Sequence, residues 1–217
     1  MPLSPPVGRQ HLHTRRVTCQ GFFRDDGLWD IEGRITDEKT YEHANEWRGP
    51  LKAGDFVHDM SIRLTLDHKF TIVDVEAVTD KSPYRICGGI APDFKKLIGL
   101  RISGGFHREV RARLGGVHGC THIVELLGPV ATTAFQTVSS KKASELNRAH
   151  RAKSGTLPAP NTKGAAKPPR KPYVIDTCHA WSADGEVVKR WAPQFYTGPD
   201  AEAVRAAAEG KEIELDG

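Results

Sequence analysis

The sequence predicts an α+β protein, an antiparallel sheet packed on helices, from three observations. Residues 14–40 read as two strands about an Asp-Gly turn, and 58–78 as a second hairpin whose first strand alternates apolar and polar side chains with period two. From residue 93 the apolar spacing lengthens to that of helices. Residues 141–171 then break both periods with a basic Pro- and Ala-rich run. The expected organisation is a core domain over 11–140, a linker over 141–171 and a C-terminal arm over 172–217, packed on the core or on a partner subunit.

The elements follow in order. "RRVTCQGFF" and "LWDIEGRITDE" read as strands flanking "RDDG", an Asp-Gly hairpin turn. After the loop "HANEWRGPLKAGD", "HDMSIRLTL" places Met60, Ile62, Leu64 and Leu66 on one face and Asp59, Ser61, Arg63 and Thr65 on the other. "DHK" turns the chain into "FTIVDVEAV", completing a second hairpin. "DFKKLIG" reads as a short helical turn. "GFHREVRARLGG" is a helix with Phe106, Val110 and Leu114 on one stripe and a Gly-Gly stop. The next helix, expected over 121–137, carries Ile123, Leu126, Leu127, Val130, Ala131, Ala134 and Phe135 on its apolar side, with a kink expected at Pro129. Residues 153–170 are expected to lack regular structure. In the arm, "YVIDTCHAWSADGEVVKRWAPQFYTG" looks like a small hairpin with two tryptophans, and "DAEAVRAAAEGKEIE" like a terminal helix.

Composition excludes several classes. The 217 residues suffice for one well-formed core. With 38% apolar and 27% charged residues the chain is globular. No run approaches the roughly 18–20 apolar residues of a membrane span. The N-terminus lacks the apolar stretch of a signal peptide, so a cytoplasmic protein with no membrane partner is expected. Cys19, Cys87, Cys120 and Cys178 are widely spaced and read as thiols or ligands, not disulfides. The formal charge of +4 is concentrated in 141–171, a linker composition, so nucleic acid is not an expected partner. A homo-oligomer is compatible with all of this.

Three places hold clustered reactive residues: His58–Asp59 at a strand start, Tyr84 with Cys87 in "SPYRICGGIAP", and His118, Cys120 and His122 at a helix entrance, with Glu125 one turn on. A helix N-terminus offers free N–H groups and a positive dipole end, which favour anions and thiolates. Each place also has a plain reading: a core thiol, a solvated histidine, a surface pair, a Pro/Gly turn. No dinucleotide, P-loop or HExxH motif is present, and no cofactor is expected.

Residues 54–137, from "GDFVHDMSIRLTL" through "PYRICGGIA" to "GGVHGCTHIVELLGPVATTAF", resemble the NifU-type iron–sulfur scaffold fold. The resemblance places Asp59 near the scaffold's ligand aspartate, Cys87 on its second cysteine and Cys120 on its third. It implies that His58, Asp59, Cys87, Cys120 and His122 line one pocket. The first scaffold cysteine is missing and Gly119 stands where the scaffold has His, so two thiolates replace three and cluster assembly is disfavoured. Zinc held by two Cys, one His and one Asp remains chemically reasonable. Residues 11–200, through "HTRRVTCQGFFRDDGLWDIEG", "HDMSIRLT", "PYRICGG", "GGVHGCTHIVELL" and "ATTAFQT", also resemble a bacterial domain-of-unknown-function family. That resemblance implies a cofactor-free lyase acting on lignin-derived aromatic dimers with release of formaldehyde.

The leading expectation is therefore an acid–base lyase for a small aromatic substrate, with His58, Asp59, His122 and Cys120 as catalytic candidates. Arg16 or Arg63 would hold a phenolate or carboxylate. Trp29, Tyr84, Cys87 and the arm's Trp181 and Trp191 would line the substrate site. Because neighbours on a strand point apart, His58 would pair not with Asp59 but with Glu125, Asp30 or Glu32. The alternative is a metal-binding or iron–sulfur-handling protein using Asp59, Cys87, Cys120 and His122. A third reading is a non-catalytic module that binds nucleic acid or a protein partner through the basic linker.

Overall fold

Four strands, β1 (His13–Phe23), β2 (Trp29–Lys39), β3 (Phe56–Leu66) and β4 (Ile72–Lys81), form one antiparallel sheet in chain order. The computed structural model describes residues 3–154, 171–172 and 174–209. The β1–β2 turn closes with the Gly27 N–H on the Arg24 carbonyl at 3.1 Å. Gly27 sits at φ 85°, where a side chain would be strained. In the β3–β4 turn the Asp67 carboxylate accepts the N–H groups of Lys69 and Thr71, each at 2.8 Å, giving the chain reversal a local anchor.

Helices cover one face of the sheet. A 3-10 segment, Arg85–Leu97, is followed by α1 (Phe106–Leu114) and α2 (Thr121–Ser154). Ile31 and Ile35 of β2, Met60, Ile62, Leu64 and Leu66 of β3, and Ile72 and Val75 of β4 are buried against Phe94, Leu97, the α1 stripe and the α2 stripe. Burying each such side chain is worth about 1.5–3 kcal/mol, so the matched faces hold these layers together. Gly33 allows the close approach of α2: a Cβ there would lie 2.6 Å from Val130 Cγ2.

Two elements here differ from the sequence expectation. The turn expected at 93–99 belongs to the longer 3-10 segment, which takes in Cys87 and Pro92. α2 does not stop near 137: it continues through Pro129 and ends at Ser154, so 141–154 are helical, not linker. "KKASELNRAHRAKS" is rich in helix formers and contains neither Gly nor Pro, which begin at Gly155 and Pro158. The rest of the expected linker, 155–170, lies outside the described residues.

The chain divides into two units, Met1–Lys142 and Ala143–Gly217. In the second, the stretch expected as a hairpin is helical, with 3-10 turns at His179–Trp181 and Pro193–Phe195, α3 (Glu186–Trp191), and then α4 (Ala201–Glu209). Gly185 opens α3, Glu186 lies in its first turn and Lys189 and Arg190 in its last, a charge order that suits the helix dipole and outweighs the strand preference of Val187–Val188. A small core of Ile175, Val188, Ala192 and Tyr196 holds the unit, with Trp181 packed against it. Among the described residues no helix is long and apolar enough to cross a membrane.

Candidate active site

The helix-covered face of the sheet is apolar along most of its length and turns polar at one end. The β2 row Ile31–Gly33–Ile35 continues to Asp37, and the β3 row is preceded by His58. In the antiparallel register Arg15 of β1 pairs with Asp37, and Asp37 with His58, so three polar residues share one row across adjacent strands. The ladder slips just beyond Asp37, the kind of irregularity that re-aims side chains.

Asp37 is the hub. It is only 1% exposed. Arg15 grips both its oxygens, Nε to Oδ1 at 2.8 Å and Nη2 to Oδ2 at 2.9 Å. His13 Nε2 lies 3.0 Å from Oδ1 and His58 Nδ1 3.0 Å from Oδ2. The helix entrance completes the cluster. The Cys120 carbonyl accepts the Val124 N–H at 2.9 Å, which makes Cys120 the N-cap of α2. His122, two residues on, stacks on His58 with ring centroids 3.8 Å apart, its Nε2 3.8 Å from Asp37 Oδ2. Glu125, one turn later, accepts from Arg15 Nη1 at 2.8 Å.

This arrangement sets the charges. Burial pushes the Asp37 carboxyl up, but Arg15, His58 and His13 more than offset it, so the group ionises below the ordinary carboxylate range. Burial, then the neighbouring His122, push His58 below the usual imidazole value despite Asp37. Burial, then Arg15, do the same to His122. Two imidazoles held largely neutral at neutral pH thus stand beside a fixed carboxylate. The ionised Asp37 accepts the His58 Nδ1–H, which leaves Nε2 as the nitrogen with the lone pair.

The two histidines open onto a cleft of about 460 Å³. Met60, Tyr84, Ile86, Cys87, Ile90, Val117 and Cys120 also line it. Ile86 is 85% and Val117 90% exposed, so the rim is apolar and open to solvent. Cys120 Sγ lies 3.6 Å from Met60 Sδ.

Of the residues singled out in the sequence, His58, Tyr84, Cys87, Cys120 and His122 therefore share one cleft. The others do not join them. Asp59 points to the opposite sheet face, where Arg34 holds both its oxygens at 2.8 and 2.7 Å. The ligand set implied by the scaffold resemblance is thus not assembled. Arg16 pairs with Glu38, and Arg63 with Glu32 and Glu76, also on the outer face. Trp29 is buried beside Phe23 at the start of β2, eight residues, or roughly 27 Å of strand, from Asp37. Asp30 bonds Thr65 and Arg24, so neither it nor Glu32 reaches His58. His118 is exposed and outside the cleft wall. In the second unit Trp181 packs into its own core and Trp191 is exposed.

The hub residues Asp37, Arg15 and His13 went unselected in the sequence. The signal available was parity: Asp37 continues the period of Ile31 and Ile35, and Arg15 and His13 that of Cys19 and Val17.

No curated protein and no solved structure matches the chain. One family profile does, over residues 13–136, a span that runs from His13 past Glu125 and so contains every residue of the cluster. The chain belongs to the family described as Protein of unknown function (DUF2889).

Proposed function

We propose that this protein is a cofactor-independent carbon–carbon lyase that uses acid–base chemistry on a small lignin-derived aromatic compound and releases formaldehyde. One observation carries the reading: two stacked imidazoles, one oriented by a buried, Arg-clamped carboxylate, in the wall of an apolar cleft. The His58 imidazole takes the proton of a primary hydroxyl on the substrate. The bond between that carbinol carbon and its neighbour breaks as the O–H electron pair becomes the C=O of formaldehyde. The electrons of the broken bond pass to the neighbouring carbon, where the aromatic system spreads them and the proton is returned. Hydroxyl proton and carbon are both accounted for, with no redox step. His122, against His58, is the second proton-transfer group, and Tyr84, Ile86 and Val117 supply apolar surface for the ring.

The test is formaldehyde release from aromatic dimers bearing a primary alcohol, with protein stripped of metal by a chelator. Turnover that falls by roughly 10²-fold or more in His58→Gln and His122→Gln is expected. No turnover across such a panel, or turnover indifferent to both substitutions, overturns the reading.

A second reading is favoured by one geometric fact. Asp37, His58 and His122 each present a ligand atom, and these atoms lie within 4.8 Å of one another. Two imidazoles and a carboxylate suit zinc or ferrous iron, and this trio takes the place of the set Asp59, Cys87, Cys120 and His122. Arg15 weighs against it, because its guanidinium occupies both Asp37 oxygens. Stoichiometric zinc or iron in the purified protein, lost in His58→Gln, would decide for the metal.

A further inference from the structure

A substrate for this cleft needs an anchor, and the arginines expected to supply one, Arg16 and Arg63, are neutralised by carboxylates on the other sheet face. A second cavity, of about 300 Å³, shares the wall residue Tyr84 with the cleft. Its wall carries three cations, Arg48, Lys81 and Arg85, against one acid, Asp80. Among the described residues none of the three cations has a carboxylate within ion-pair distance. Arg48 instead donates from Nη1 to the carbonyls of Phe56 and Val57, at 2.9 and 3.3 Å, which fixes its place without cancelling its charge. The Arg85 guanidinium lies 5.6 Å from the centre of the Trp47 ring, another wall residue. Thr79, in the same wall, has a buried hydroxyl with no hydrogen-bond partner.

We infer that this cavity is an anion subsite, and that the ligand of the adjoining cleft is an aromatic compound bearing a carboxylate. The inference deepens the lyase reading and rests on it only for the cleft being a substrate site. Arg85 and Lys81 hold the carboxylate, Trp47 and Tyr84 flank the aromatic body, and the reacting alcohol lies toward His58 and His122. Charge-assisted contacts of this kind give the site its preference for acids over neutral analogues.

Calorimetric titration of the full chain with 4-hydroxy-3-methoxycinnamate and with its methyl ester tests this without turnover. The acid is expected to bind at least about 10-fold tighter than the ester at low salt. The preference should vanish in Lys81→Gln/Arg85→Gln and survive in Arg63→Gln. Lys81 and Arg85 are exposed, so the double variant should fold, and Arg85→Lys, which retains the charge, should restore part of the preference. Equal binding of acid and ester by the wild type, or a preference that persists in the double variant, overturns the subsite. Selective binding without formaldehyde release would instead overturn the lyase reading and leave the subsite standing.

Discussion

The two faces of the sheet carry the same residue types and use them oppositely. On the outer face Arg16 meets Glu38 and Arg63 bridges Glu32 and Glu76 in contact with solvent, while Arg34, itself half-exposed, covers the buried Asp59. Solvent-exposed pairs of this kind are each worth roughly 0–1 kcal/mol. On the helix-covered face one carboxylate, Asp37, is buried among Arg15, His13 and His58, with His122 stacked alongside. There the low dielectric makes each partner matter more and moves the histidines away from their usual titration. On this sheet the shifted histidines lie where helices exclude water and a cleft adjoins them.

The comparison breaks most sharply on activity. His58→Gln or His122→Gln should lower formaldehyde release by roughly 10²-fold or more with folding intact, whereas Arg63→Gln should change it less than about twofold. Next in size is stability. Asp37→Ala leaves Arg15 and two histidines around an empty, buried position and should cost about 3 kcal/mol in urea denaturation, against about 1 kcal/mol or less for Arg63→Ala on the outer face. Gly33→Ala sets a methyl against Val130 and should cost about 1–3 kcal/mol, with Gly27→Ala acting instead through its left-handed backbone.

The smallest effect is on pH dependence. His58 and His122 ionise below their unfolded value of about 6.5, so as pH falls beneath that value the unfolded chain takes up protons the folded one refuses. Stability should therefore be complete above about pH 6.5 and decline as pH falls toward the folded-state values. The double His→Gln variant should show a flatter profile over that window. An equal slope in the variant would mean that other groups dominate.

Much of the fold was legible in the sequence. The alternation of Met60 to Leu66 and the stripes Phe106–Val110–Leu114 and Ile123–Ala134 encode which face is buried, because strand and helix periods act locally. The convergence of His58, Cys87, Cys120 and His122 was expected from resemblance, not from spacing. The errors have local causes as well. The hairpin expected in the second unit is a set of short helices, and the Pro-rich tail of 141–171 hides the helix-forming start of that segment. Arg16 is the immediate neighbour of Arg15, and Asp59 pairs across the ladder with Thr36, the residue beside Asp37, so each expected residue points to the face opposite the one the cluster occupies.

The sequence by itself determined the four strands, the cores of α1 and α2 and the side of each that is buried, since these follow from side chains a few positions apart. Only the tertiary structure decided that Asp37 would be the centre of the site. Its identity as the hub depends on a register that sets Arg15, Asp37 and His58 in one row, and on α2 arriving with His122 more than eighty residues later in the chain. A carboxylate near a strand end is an ordinary surface residue until strands and helix close around it. Its charge, partners and reactivity are then set by burial and by distances of about 3 Å, which no local period specifies.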